Sequence, residues 1–196
     1  NCEIRNATGN GVVVSGRNVV IDSCKIHHCL AGSAIRPAAA HGLTGHPQKL
    51  TVHNCEIFHV SGSAVFFGPS SKDWDDVTIE NCTFWSSPLP DAAAKFLQGE
   101  RPGTSGVKTE MDDAEQRGRM FIRDSLFHGW MGQGEFATAL NFGGHVEVVV
   151  DNCVFRGNDV GIRARGRAHN PLVEITDYAV YNSATAVRLE DAVRDV

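Results

Sequence analysis

The 196-residue chain carries 18 lysines and arginines against 23 aspartates and glutamates, a formal net charge of −5 at pH 7, with 42% hydrophobic residues. That balance excludes a disordered tail and argues against a nucleic-acid footprint, since no basic block interrupts it. No run of about 18 apolar residues is present, so membrane insertion is not expected, and the length suffices for one domain with its own core.

In chain order, Asn1-Cys-Glu-Ile opens on the tail of a unit that the chain then repeats. The copies are Val19-Val-Ile-Asp-Ser-Cys-Lys-Ile, Leu50-Thr-Val-His-Asn-Cys-Glu-Ile, Val77-Thr-Ile-Glu-Asn-Cys-Thr-Phe, Met120-Phe-Ile-Arg-Asp-Ser-Leu-Phe and Val148-Val-Val-Asp-Asn-Cys-Val-Phe, with a weaker one at Val173-Glu-Ile-Thr-Asp-Tyr-Ala-Val. A recurring unit with no helix of its own, burying its apolar side only against the next copy, marks a β-solenoid. Because the sequence begins inside a repeat, residues 1–196 read as a single solenoid domain that is a fragment lacking at least its N-terminal cap. The missing signal peptide then says nothing about compartment.

Within each copy the alternation of apolar residues slips by one at the residue before the cysteine slot. A period-2 strand does that only by turning, and Asn, Asp and Ser suit such a turn. Asn1, Ser23, Asn54, Asn81, Ser125, Asn152 and Asp177 are therefore expected at one corner of every coil. Cys2, Cys24, Cys55, Cys82 and Cys153 share one slot of the repeat. No Cys-x-x-Cys spacing suggests a metal site, and a stack of buried thiols is expected rather than disulfides.

A second strand recurs late in each coil as a small residue followed by an aliphatic one: Gly11-Val, Ala34-Ile, Ala64-Val, Gly106-Val, Ala139-Leu, Gly161-Ile and Ala186-Val. Coils of about 22 to 27 residues with longer insertions fit an all-β parallel β-helix of about seven coils. The insertions are Ala38 to Pro47, Ser86 to Ser105 and the charged Met111 to Arg119. Asp91 to Gly99, inside the longest, reads as one short helix with a capping aspartate and a terminal glycine. Loops on one side of a rigid stack are where binding sites are built.

With Val12, Ile35, Val65, Val107, Leu140, Ile162 and Val187 facing inward, the next residues face outward. That column is Val13, Arg36, Phe66, Lys108, Asn141, Arg163 and Arg188. Two places further along, the same face carries Glu110, Gly143, Arg165 and Glu190. Two readings stand open. One is a solvated charged sheet face, stabilised by Glu110 and Glu190 across strands. The other is a rail of cations for a linear polyanion, the arginines gripping carboxylates in pairs of hydrogen bonds. Opening a polyuronate by β-elimination needs a base for the proton α to the carboxylate and positive charge for the enediolate. A lysine serves as that base where neighbouring cations and desolvation lower its pKa, and Lys108 stands between Arg36 and Arg163. His128 and His145 are further candidates for proton transfer or substrate contact. A second outward column, His27, Phe58, Trp85, His128, Arg156 and Tyr181, is expected as an exterior aromatic ladder rather than a sugar platform.

The corner ladder and stacked aliphatics resemble the right-handed parallel β-helix superfamily of pectate lyases across essentially the whole chain. Ser105-Gly-Val-Lys108 is similar to the Asn-Gly-Phe-Lys type segment around the base lysine of family nine pectate lyases. On the cation-rail reading Arg163 partners Lys108 as the carboxylate or enediolate contact, with substrate contacts from Arg36, Asn141, Arg165, Arg188, Glu110, His128 and His145. The resemblance implies a right-handed helix with Lys108 as base. It also implies a calcium ion (Ca2+) held by Asp73, Asp75 and Asp76, although the Asp-Asp-Gly runs of that family are absent; no organic cofactor is implied. Family six lyases would place an arginine where Asn141 stands, and Gly143-Gly-His145 is not the Gly-His-Gly of galacturonan hydrolases, so hydrolysis ranks lower. The implied protein is a secreted or periplasmic monomer that cleaves an acidic polysaccharide by β-elimination. A non-catalytic adhesin or tailspike-like β-helix and a uronate epimerase are the alternatives.

Overall fold

The computed structural model describes residues 1–29, 42–68, 74–86, 105–110, 117–131, 137–166 and 171–190. Among them there is no helix, and every strand belongs to one of three parallel sheets of seven, seven and six strands. The first sheet holds Cys2–Arg5, Cys24–Cys29, Glu56–Val60, Thr83–Trp85, Leu126–His128, Val154–Arg156 and Ala179–Tyr181. The second holds Val12–Val14, Leu43–Gly45, Ser63–Phe67, Ser105–Thr109, Thr138–Gly143, Val160–Arg165 and Thr185–Glu190. The third holds Arg17–Asp22, Gln48–His53, Asp75–Glu80, Gly118–Arg123, Val146–Asp151 and Leu172–Thr176. The chain visits the three sheets in turn, so every third strand in sequence is a neighbour in space. This is a parallel β-helix.

The repeated octapeptide spans one bend of the coil. Asp75–Glu80 runs in the third sheet, Asn81 turns, and Thr83–Trp85 continues in the first. Ser23, Asn54, Asn81, Asp124, Asn152 and Asp177 all hold φ between 44° and 54°, the left-handed region that Asn and Asp tolerate best. The fifth corner is therefore Asp124 and not the expected Ser125. Ser125 instead fills the cysteine slot, and the reason lies in its hydrogen bond. Its Oγ donates to the Arg123 carbonyl at 2.8 Å, as Cys55 and Cys82 Sγ donate to the His53 and Glu80 carbonyls at 3.2 Å. The slot selects a small inward side chain whose donor closes the bend onto the carbonyl two residues back. All six cysteines are free thiols, with Cys29, Cys55, Cys82 and Cys153 buried.

Between the sheets, Val77, Ile79, Met120, Ile122, Val148 and Val150 are buried against Phe84, Phe127 and Phe155. Those rings stack at centroid distances of 4.8 and 5.4 Å, one coil above another. Each such side chain contributes about 1.5–3 kcal/mol by leaving water.

The second coil corrects another expectation. Its late strand is Leu43–Gly45, so Leu43 takes the inward place assigned to Ile35 and Thr44 the outward place assigned to Arg36. Gly42 supplies the small residue. A Cβ there would lie 2.6 Å from the Ile57 side chain and 2.7 Å from the Ala64 carbonyl oxygen, so the slot admits little more than hydrogen. The insertion expected from Ala38 to Pro47 thus contains a strand. Arg36, the helix expected from Asp91 to Gly99 and Asp73 lie outside the described residues.

Candidate functional site

The second sheet's outward column is a continuous register: Val13, Thr44, Phe66, Lys108, Asn141, Arg163 and Arg188 are neighbours in successive strands. Beside it Gly143, Arg165 and Glu190 are also in register. Glu110, just past Ser105–Thr109, hydrogen-bonds through its N–H to the Phe67 carbonyl at 3.0 Å. Inward aliphatics fix the phase: Val65, Val107, Leu140 and Ile162 are all buried in the core, which turns the alternate residues out.

The charged side chains on this face pair among themselves. Lys108 Nζ lies 3.1 Å from Glu110 Oε2, and Arg165 Nη2 lies 3.3 Å from Glu110 Oε1. Arg163 donates to Glu190 Oε2 through Nε at 2.9 Å and again through Nη2, while Arg188 Nε pairs with Glu190 Oε1. Lys108 also sits 5.6 Å from the centre of the Phe66 ring. The Arg165 guanidinium crosses Gly143 to reach Glu110 two strands away, and a Cβ at 143 would meet it only at ordinary contact distance, 3.8–3.9 Å.

The network is graded in exposure. The Arg163 and Arg165 side chains are 3% and 7% exposed, Lys108 is 18% and Arg188 is 42%. Burial pushes the Glu190 carboxyl up, but the hydrogen bond from Arg163 and the charges of Arg163, Arg188 and Arg165 hold it below the usual carboxylate range. Asn141 is buried, and its Oδ1 has no hydrogen-bond partner among the described residues. The face is neither a bare cationic rail nor a solvated charge pattern.

The fold thus brings together Lys108, Glu110, Asn141, Arg163, Arg165 and Arg188. It does not bring the two histidines to them. His128 ends a first-sheet strand and stacks on Trp85 at 5.9 Å, in a ladder that continues through Phe58 at 4.3 Å and His27 at 4.6 Å. These rings lie within 6–9° of parallel, so they cover one another's faces and turn only edges outward, as an exterior ladder does. Burial, with the nearby Arg156 charge, pushes the His128 pKa down. His145 lies at the bend after Thr138–Gly143, lining a cleft with Trp74, Asp75, Arg117, Arg119 and Glu147.

Asp75 and Asp76 open a third-sheet strand and both face Arg119. Arg119 Nε is 3.6 Å from Asp75 Oδ1 and 3.1 Å from Asp76 Oδ1. Among the described residues no group of three or more His, Cys, Asp or Glu is gathered as a metal site. Two of the three expected calcium ligands, Asp75 and Asp76, are thus paired with a guanidinium on a different sheet from Lys108, and the third, Asp73, lies outside the described residues. No step below is routed through a metal. Reasoning from the sequence missed the double role of Glu190, because a cross-strand glutamate carries no signal of which arginines it will bridge.

The family model described as "Right handed beta helix region" matches residues 1–99. Among solved structures, the chain is similar to the crystal structure of pectate lyase Pel9A, with a TM-score of 0.54 and 15% identity, covering 97% of this chain and 51% of that one. The chain therefore spans about half the length of that lyase. No curated protein matches the chain.

Proposed function

We propose that this chain, which belongs to the right-handed β-helix family, holds an acidic polysaccharide along the outer face of its second sheet and opens it by β-elimination. The observation that carries this reading is the register of Lys108, Asn141, Arg163 and Arg188 on one outward face. Similarity of fold to a pectate lyase supports the same class of substrate. Lys108, as the neutral amine, takes the proton α to a uronate carboxylate. The C–H electrons form the new double bond, the bond to the β-oxygen breaks, and that oxygen takes a proton from solvent. Negative charge gathers on the carboxylate as the proton leaves. Arg163, Arg165 and Arg188 against Glu110 and Glu190, with Lys108 becoming cationic as it takes the proton, leave this face positive and able to stabilise it.

A second reading, glycan binding without turnover, is supported by the ion pair of Lys108 with Glu110, since a base must first give up its proton. On either reading the polymer is met outside the cytoplasm. The experiment is to mix the protein with polyuronates and glycosaminoglycans and follow the absorbance of unsaturated uronides. Lys108→Ala is expected to abolish that product while leaving polymer affinity within a few-fold. No unsaturated product from any acidic glycan removes the lyase reading, and inverted uronates without chain cleavage would identify an epimerase.

A further inference from the structure

Two ion-paired units of the same design lie on this face. Glu190 joins Arg163 to Arg188, and Glu110 joins Arg165 to Lys108. In each unit one partner is sealed and the other reachable: 3% exposure for Arg163 against 42% for Arg188, and 7% for Arg165 against 18% for Lys108. The sealed arginine anchors the glutamate, and the glutamate holds the reachable cation. A carboxylate of the protein thus stands where a carboxylate of a ligand would pair. If a ligand carboxylate takes Arg188, Glu190 keeps Arg163, and no buried charge is stranded.

Lys108 and Arg188 are separated by Asn141 and Arg163 in one column, three strand spacings or about 14 Å at roughly 4.8 Å each. A linear hexuronate chain advances per residue by the span of one pyranose ring, close to one strand spacing of about 4.8 Å. Resting on the reading that a polyuronate lies along this face, we infer that Arg188 takes the carboxylate of the uronate three places from the one at Lys108. Four consecutive uronates are then the shortest ligand that uses both cations. A polymer wound with three residues per turn presents those two carboxylates to the same side.

The test is calorimetric titration of size-defined oligouronates of two to six residues into the Lys108→Arg variant, whose guanidinium keeps the cation at that place but stays protonated and so leaves the ligand uncut. The dissociation constant should fall at least about tenfold between three and four residues and by much less at every other step. Adding Arg188→Ala should erase that step, and Arg188→Lys should restore part of it. Equal increments at every length, or a step that survives Arg188→Ala, overturn the inference. The unsaturated-uronide assay on the unaltered protein separates the two ideas. Product without a step at four residues sinks the length rule alone. A step without product removes elimination and leaves the rule, and no binding at any length removes both.

Discussion

Replacing Glu190 by alanine removes the carboxylate to which Arg163 donates through Nε at 2.9 Å and through Nη2. Arg163 is 3% exposed, so solvent cannot substitute for the lost acceptor. Removing one partner of a buried ion pair ordinarily costs about 3–5 kcal/mol. The contact with Arg188 adds only about 0–1 kcal/mol, because that side chain is 42% exposed. The expected loss for Glu190→Ala is therefore about 3–5 kcal/mol. Glutamine keeps a carbonyl acceptor, so Glu190→Gln should cost less, about 1.5–3 kcal/mol, the worth of a hydrogen bond to a charged group. The pH dependence adds an independent check. The Glu190 carboxyl is held below its ordinary value, so its contribution is fully present above the unfolded pKa of about 4.3 and is lost as pH falls through the lower folded value. The gap between the unaltered protein and Glu190→Gln should hold from neutral pH to about pH 5 and shrink below about pH 4. Urea unfolding followed by far-ultraviolet circular dichroism at stepped pH measures both quantities. A loss under about 0.5 kcal/mol for Glu190→Ala, the range of ordinary surface substitutions, would refute the assignment of a buried ion pair.

A thiol reagent should label Cys2 and Cys24 in the native protein and reach Cys29, Cys55, Cys82 and Cys153 only after unfolding, as counted by mass spectrometry. Burial pushes the Cys153 thiol up to about 11, so mild alkali should not bring it forward, and its early labelling would contradict the packed slot. Cys82→Ala should cost about 1–3 kcal/mol more than Cys82→Ser in thermal or urea unfolding, because serine still donates to the carbonyl as Ser125 does. Equal costs would mean that the donor is idle. Gly161→Val should destabilise by about 1–3 kcal/mol, since a Cβ there would lie 2.6 Å from the Ala186 carbonyl oxygen of the next coil. An unchanged melting temperature would show that neighbouring coils can part without cost.

The corners were legible because few residue types accept left-handed backbone: Asn54, Asn81, Asn152 and Asp177 stand where positive φ is needed. At the fifth repeat Asp124 and Ser125 both suit a turn, and only the inward donor of Ser125 separates them. The second coil was ambiguous for a related reason. Ala34-Ile-Arg and Gly42-Leu-Thr both satisfy the small-then-aliphatic pattern, and the choice depends on which small residue packs under Ala64. The column from Lys108 to Arg188 could be read because strand alternation is fixed by buried neighbours at Val107, Leu140 and Ile162 and by the partly buried Val187. The bridging by Glu190 could not, since it depends on burial and rotamers rather than on period. His128 was placed in the aromatic ladder by its period, whereas His145 carries no positional mark, and neither is in the Lys108 column.

Ion pairs such as Arg163–Glu190 are a poor way to stabilise a sheet face, because well-packed apolar side chains of similar volume often do as well or better. Their presence therefore calls for a reason beyond stability, and the stacking offers one. Parallel strands repeat at about 4.8 Å, so cations held on strands of one sheet make a ruler whose divisions are set by backbone hydrogen bonds rather than by loops. A compact anion can reach one division, whereas a linear polymer with a similar repeat can reach several without bending. Glutamates anchored by sealed arginines keep the reachable cations at their divisions while no ligand is bound, which lowers the entropy lost when one arrives. They also set a threshold: a lone carboxylate merely replaces a glutamate already present, and only a ligand that makes several exchanges together gains from the array. On the proposed polyuronate reading, the selectivity of this face is for spacing and length more than for charge alone.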